Sequence, residues 1–148
     1  VVLNRPAERT LYELAEHHDL VYYGDDSLYQ GGQANTKALV MLHTDDWECT
    51  NTLNIGGGFR ISSDNTMLSR IFTGDEPRQW RMFVGMSVWS PMQLHTEVFA
   101  LPNSKKKSSW LITDATEELV FRDDYERAWK SAVEQAACDA VQGFFSIS

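Results

Sequence analysis

His43 is followed closely by Asp45, Asp46 and Glu48, a histidine and three carboxylates in one short stretch. Such a run suggests a divalent metal or a general base. A metal needs three or four convergent ligands, and no paired-histidine spacing accompanies His43. The plainer expectation is a histidine hydrogen-bonded at a strand end, and neither metal nor cofactor is expected. His17 and His18 close a helical pattern, where imidazole suits the negative end of the helix dipole.

Nucleophiles are no better placed. The serines lack a G-x-S-x-G elbow, and Cys49 has only His43 near it in sequence. "GGGF" at residues 56–59 has no GK[ST] after it and no glycine three residues on, so it reads as a hairpin turn rather than a phosphate loop. No catalytic residue is assigned. What remains is a polar set: Arg5, whose guanidinium suits an anion, and Gln93 with Glu97, which share one helical face. Glu97 could serve as a base.

The elements that must position these groups read as follows. Residues 1–6, "VVLNRP", form a strand running into a proline stop. Thr10 and Glu13 make a capping box for a helix of about two turns with Leu11, Leu14 and Ala15 inward. Residues 20–23 are β-prone, and residues 24–37 read as a glycine-rich loop. Residues 38–42 form a buried strand ending at His43. Strands around 52–55 and 59–61 flank the glycine turn. Ser63 or Asp64 caps a helix with Met67, Leu68, Ile71 and Phe72, closed by Gly74.

Residues 79–89 give the longest strand candidate, with apolar side chains on both faces and hence covered on both. Ser90 caps the next helix, Pro91 opens it, and Gln93 closes a box onto the Ser90 backbone. Leu94 and Val98 then face the core, and Trp89 packs at the helix start with its indole N–H on a carbonyl. Residues 109–113 form another strand. Residues 123–141 form the longest helix, with Trp129, Ala132, Val133 and Ala136 on one stripe, leaving 142–148 as a loose tail. The class is α+β, a single domain over residues 1–148.

Composition narrows the function. With 21 acidic and 13 basic residues, the net charge is −8. That disfavours a phosphate-tracking surface and favours solubility and basic partners. Lys105, Lys106 and Lys107 sit among serines and read as a solvated loop. No apolar run approaches the roughly 20 residues of a membrane span, and no signal peptide is visible. Cys49 and Cys138 lack CxxC spacing and read as two reduced thiols in the cytoplasm.

The sequence resembles the YqgE/AlgH family. Leu3-Asn4-Arg5-Pro6 carries its leucine-asparagine-arginine-proline segment. Gly31-Gly32 carries its glycine turn, with Gln33 in place of a proline, and Leu42-His43 its leucine-histidine pair. Gly85, Trp89, Gln93, Leu94 and Glu97 carry its long fourth pattern, with Met92 in place of a glycine. Phe121 before "DDYERAWKSAV" resembles the family's closing helix, so the likeness spans residues 1–135. It implies a strongly bent, partly barrel-like, mixed or antiparallel sheet flanked by helices. It also implies some tens of residues ahead of the asparagine-arginine-proline, making this chain N-terminally shortened. It implies no common reaction, although one namesake is tied to regulation of exopolysaccharide production.

Three functional readings follow. The first is a non-enzymatic regulatory or protein-interaction module. The second is a small-molecule-binding protein or cryptic hydrolase, using a cleft near Arg5, His43, Gln93 and Glu97. The third is a DNA-binding regulator, against which the charge argues. The candidate cleft gathers Asn4, Arg5, Gly31, Gly32, His43, Trp89, Gln93 and Glu97, all at element ends, where clefts form. A bare strand at residues 1–4 would recruit another strand, so it is expected to pair with its own sheet or to be borrowed by a second copy or a partner.

Overall fold

A computed structural model describes residues 1–24, 26–99 and 110–146. The lysine run at 105–107 and Ser109 lie outside the described residues. Five strands form one mixed sheet in the order β1-β5-β2-β4-β3. They are β1 (Leu28–Gln30), β2 (Ala34–Thr44), β3 (Thr52–Gly56), β4 (Phe59–Ser62) and β5 (Trp80–Met86). β1 runs parallel to β5, and the remaining neighbours are antiparallel. The sheet does not close; β1 and β3 are its two edges.

Both faces are covered, and alternation along each strand decides which side chain meets which layer. Met41, Met82 and Leu28 point to one face, where α1 (Leu11–His17) and α2 (Met67–Phe72) supply Leu11, Leu14, Met67, Leu68 and Ile71. Their neighbours Leu42, Phe83 and Tyr29 point to the other, meeting Val120 of α4 (Glu117–Val120). Truncating the fully buried Phe83 to Ala would cost ~3–5 kcal/mol.

Local chemistry sets several boundaries as expected. The α1 capping box is complete, with Thr10 Oγ1 accepting from Glu13 N and the Glu13 carboxylate accepting from Thr10 N. α2 ends in a Schellman motif: Gly74, at φ +86°, donates to Ile71 O, and Asp75 donates to Arg70 O. The start of α2 differs: Thr66, not Ser63 or Asp64, is the N-cap residue, and Asp64 accepts from its N–H and hydroxyl. The glycine turn joins β3 to β4.

Other expectations change. β2, not β5, is the longest strand; it ends at Thr44, one residue past His43, which is hydrogen-bonded at the strand end as expected. The predicted loop contains β1, while residues 20–23 are not a strand. Residues 110–113 are not a strand either: Trp110, Leu111 and Ile112 are exposed and have no strand partner. α3 (Pro91–Phe99) buries none of its side chains, so Leu94 and Val98 do not reach a core. α5 (Tyr125–Ser146) runs past Val141, and of its predicted stripe Ala136 is buried while Trp129 is exposed.

The first residues lie along the outer edge of β1 without forming a regular strand. Val2 N donates to Gly31 O at 2.9 Å, Gln30 N to Arg5 O at 2.7 Å, and Ala7 N to Leu28 O at 2.9 Å. The edge is therefore covered from within the chain.

Candidate functional site

The predicted residues do not converge on one cleft. His43 is sealed in the sheet at 0% exposure. Its Nδ1 lies 2.7 Å from Thr44 O and its Nε2 lies 2.8 Å from Ser62 Oγ. The Trp47 ring stands edge-on to the imidazole at 5.4 Å. Burial holds the His43 pKa below the ordinary histidine value. The nearby acids have other partners. Asp46 accepts from the Thr44 hydroxyl and from Arg78 N, which lowers its pKa. Glu48 pairs with Arg60 at 3.0 Å. Among the described residues, no three His, Cys, Asp or Glu side chains gather as metal ligands.

Trp89, Gln93 and Glu97 do come together. Trp89 Nε1 donates to Glu97 Oε2 at 3.0 Å, and Gln93 Nε2 donates to Glu97 Oε1 at 3.3 Å. The expected capping box is thus half made: Ser90 Oγ accepts from Gln93 N, but the glutamine side chain turns to Glu97 instead of the Ser90 backbone. Trp89 finds a carboxylate where a carbonyl was expected. Its ring stands T-shaped to Trp110 at 6.3 Å. In the same segments Val88, Met92, Leu94, Phe99, Leu111 and Ile112 are all exposed.

Gly31 and Gly32 serve a backbone crossing. A Cβ on Gly32 would stand 2.2 Å from the Met86 carbonyl carbon, and one on Gly31 would stand 2.4 Å from Gly85 O. Gly85, at φ +71°, faces them across the same crossing. Gln30 pins it by donating to Gly32 O at 2.5 Å.

Arg5 lines a groove of about 800 Å³ beside α1. Its walls also hold Arg9, Lys37, His17, His18 and Gln30. Asn4 lines a separate, mainly apolar pocket of about 330 Å³ with Leu3, Val120 and Trp129. Neither His43, Gln93 nor Glu97 lines either space.

Sequence reasoning missed Arg81, a 5%-exposed arginine on β5. It donates to Leu3 O at 3.2 Å and to Arg122 O, and it lies over the Tyr29 ring at 4.7 Å. The signal was present: a lone cation in the otherwise apolar "MFVGM" approach must find buried acceptors.

The AlgH-like family matches residues 1–141 of this chain. The chain belongs to the AlgH-like family. It is 32% identical to a UPF0301 protein of Gluconobacter oxydans over 103 residues, covering 70% of this chain and 52% of that relative. It is 30% identical to a UPF0301 protein of Chlorobaculum parvum over 140 residues, 93% of this chain and 70% of the relative. The chain spans a little over half the length of the curated relatives it first matches. The solution structure of AlgH from Pseudomonas aeruginosa superposes with a TM-score of 0.73 at 23% identity, covering 91% of this chain and 70% of AlgH. A crystal structure of a Corynebacterium diphtheriae protein gives 0.61 at 16% identity, covering 86% and 64%. At these identities the likeness shows the AlgH-like fold alone. No helix among the described residues of this AlgH-like chain is long and apolar enough to cross a membrane.

Proposed function

We propose that this AlgH-like chain is a non-enzymatic regulatory module that docks on a protein partner through α3 and residues 110–112. One observation carries the reading: α3 is a nine-residue helix with no buried side chain, and Trp89 just before it meets the exposed Trp110 ring at 6.3 Å, with Leu111 and Ile112 exposed next in the chain. Contiguous exposed apolar surface on a soluble protein marks an interaction site. The Glu97 carboxylate accepts from the Trp89 indole N–H and from Gln93, which holds an aromatic ring of the kind that anchors interfaces.

One geometric observation favours the non-enzymatic part of this reading. The one histidine–hydroxyl pair with nucleophile–base geometry among the described residues is His43–Ser62, and both side chains are fully buried. Free thiols at Cys49 and Cys138 favour a reducing compartment such as the cytoplasm. The overall charge of −8 favours a partner with basic residues around its apolar contact and disfavours nucleic acid. Self-association through residues 1–4 has less support, since that segment already bonds to β1.

The test is affinity capture from host lysate with the natural chain, a Met92→Glu/Ile112→Glu variant, and Tyr23→Glu as a control at an exposed position elsewhere. A partner retained by the natural chain and the control but lost by the patch variant supports the reading. Equal recovery by all three, or no recovery by any, overturns it.

A further inference from the structure

We propose that the groove beside α1 binds a small organic dianion carrying an apolar body. The site is separate from the α3 face, and neither proposal depends on the other.

The chain is acidic, yet Arg5, Arg9 and Lys37 gather on this one groove with a single carboxylate, Glu8, among its lining residues. Among the described residues, every arginine from Arg60 to Arg122 has an acidic partner within 4.0 Å. Arg5, Arg9 and Lys37 have none among the described residues. In a chain with surplus acid, like charges clustered without counterions make a local field that attracts an anion.

The backbone builds the placement. The bonds from Gln30 N to Arg5 O and from Ala7 N to Leu28 O lay the segment bearing Arg5 and Arg9 along β1. Lys37 comes from the opposite wall. β2 pairs with β5 at Ala34↔Met86 and next at Leu39↔Val84, so the residues between them bulge out of the ladder and bring Lys37 to the rim. The carbonyls at the end of α1 would oppose an anion, but Ala15 O and Glu16 O already accept from His18, Asp19 and Leu20.

The ligand class follows from what the walls can recognise. Two guanidiniums offer planar forks that fit phosphate or carboxylate oxygens, and Lys37 offers a point charge. Three cations against one carboxylate leave about two positive charges to neutralise. Leu14, Leu28, Leu39 and Val84 line the same space and suit an apolar body. A volume of about 800 Å³ lies within the usual range for small-molecule sites.

The experiment is titration of the whole chain with phenyl phosphate at low salt, by calorimetry and amide chemical shifts, with inorganic phosphate in parallel. Saturable binding is expected, weakening as salt rises, with shifts at the groove residues and inorganic phosphate bound at least about tenfold more weakly. Arg5→Gln and Lys37→Gln should each weaken binding by about tenfold. Arg127→Gln removes an exposed unpaired cation on α5 and should change nothing. Four results would each overturn the site: no saturation by about 10 mM, equal binding of inorganic phosphate, equal weakening by Arg127→Gln, or no effect of the two groove substitutions.

Discussion

His43 Nε2 lies 2.8 Å from Ser62 Oγ, and the second ring nitrogen, Nδ1, lies 2.7 Å from the Thr44 carbonyl oxygen. A carbonyl only accepts, so Nδ1 carries the proton and Nε2 accepts from the Ser62 hydroxyl. Thr52 Oγ1, 2.7 Å from Ser62 Oγ, then donates to it. The chain of hydroxyls ties β2, β4 and β3 through their side chains. Ser62→Ala leaves Nε2 buried without a donor and should destabilise the fold by ~1–3 kcal/mol. Urea unfolding checks it, and an unchanged midpoint would rule out the linkage.

The same imidazole gives a pH dependence. Burial lowers its folded-state pKa below 6.5, so above 6.5 it is neutral in both folded and unfolded chains. As pH falls through 6.5 the unfolded chain takes up the proton first, and stability declines until the folded value is reached. His43→Gln, which keeps an amide for Ser62, should flatten the curve in that window. Below 3.8 a further loss follows from Asp46, Asp64 and Asp75, whose hydrogen bonds depress their pKa values. Melting temperature against pH reads both.

Glycines at positive φ separate two costs. Gly58, at φ +82°, has nothing within 4 Å of an added Cβ, so Gly58→Ala should cost the left-handed conformation alone, about 1–2 kcal/mol. Gly85, at φ +71°, would place its Cβ 2.7 Å from Gly32 O, a backbone atom that cannot swing aside. Gly85→Ala should exceed ~4 kcal/mol or prevent folding. Equal costs in denaturant melts would remove the crossing as a structural constraint.

Arg81→Met should free the first residues from the sheet. It strips Leu3 O and Arg122 O of their donor and Tyr29 of its cation, at a cost of ~2–4 kcal/mol. Hydrogen exchange at Val2 and Ala7, whose amides bond to the β1 edge, should accelerate more than exchange within β2. Uniform acceleration would mean general loss of stability instead.

Glu97→Gln tests the aromatic anchor with little risk to the fold. The contact is exposed, so stability should change by less than ~1 kcal/mol. The Trp89 indole N–H resonance should move as its charged acceptor is lost. A resonance that stays in place would show the indole unbound in solution.

How much of this was legible depended on range. The Thr10–Glu13 box, the β3–β4 turn and the Gly74 stop are each settled by residues a few positions apart, and all were readable. β1 was not, because three residues inside a turn-rich stretch become a strand only by pairing with β5. Residues 110–113 failed the opposite way: apolar, β-prone side chains make no strand without a neighbour to bond. On α3, Leu94 and Val98 have core-like spacing, and spacing alone cannot say whether another layer stands opposite. The site suffered most. Residues at element ends were grouped by type, while the sheet separates them: His43 inside, Arg5 on one groove, Glu97 on the α3 face.

β5 occupies the sheet position between β1 and β2, although four strands precede it in the chain. β3 and β4 form a hairpin that lays β4 along β2, and these three antiparallel strands are close in sequence and can assemble while the chain is still being made. Gln30, by contrast, waits for Val84, 54 residues on. Contacts of such separation form late and slowly. During synthesis, then, α1, β1 and the first residues emerge early and have no seat until the centre of the sheet arrives. Arg5 belongs to the side of that seam that docks late and Lys37 to the early three-stranded unit, so the groove between them exists only once both are in place. An anion held by both would act as a clasp on the last step of folding, slowing the opening of the β1–β5 seam and leaving the lifetime of the β2–β4–β3 unit unchanged.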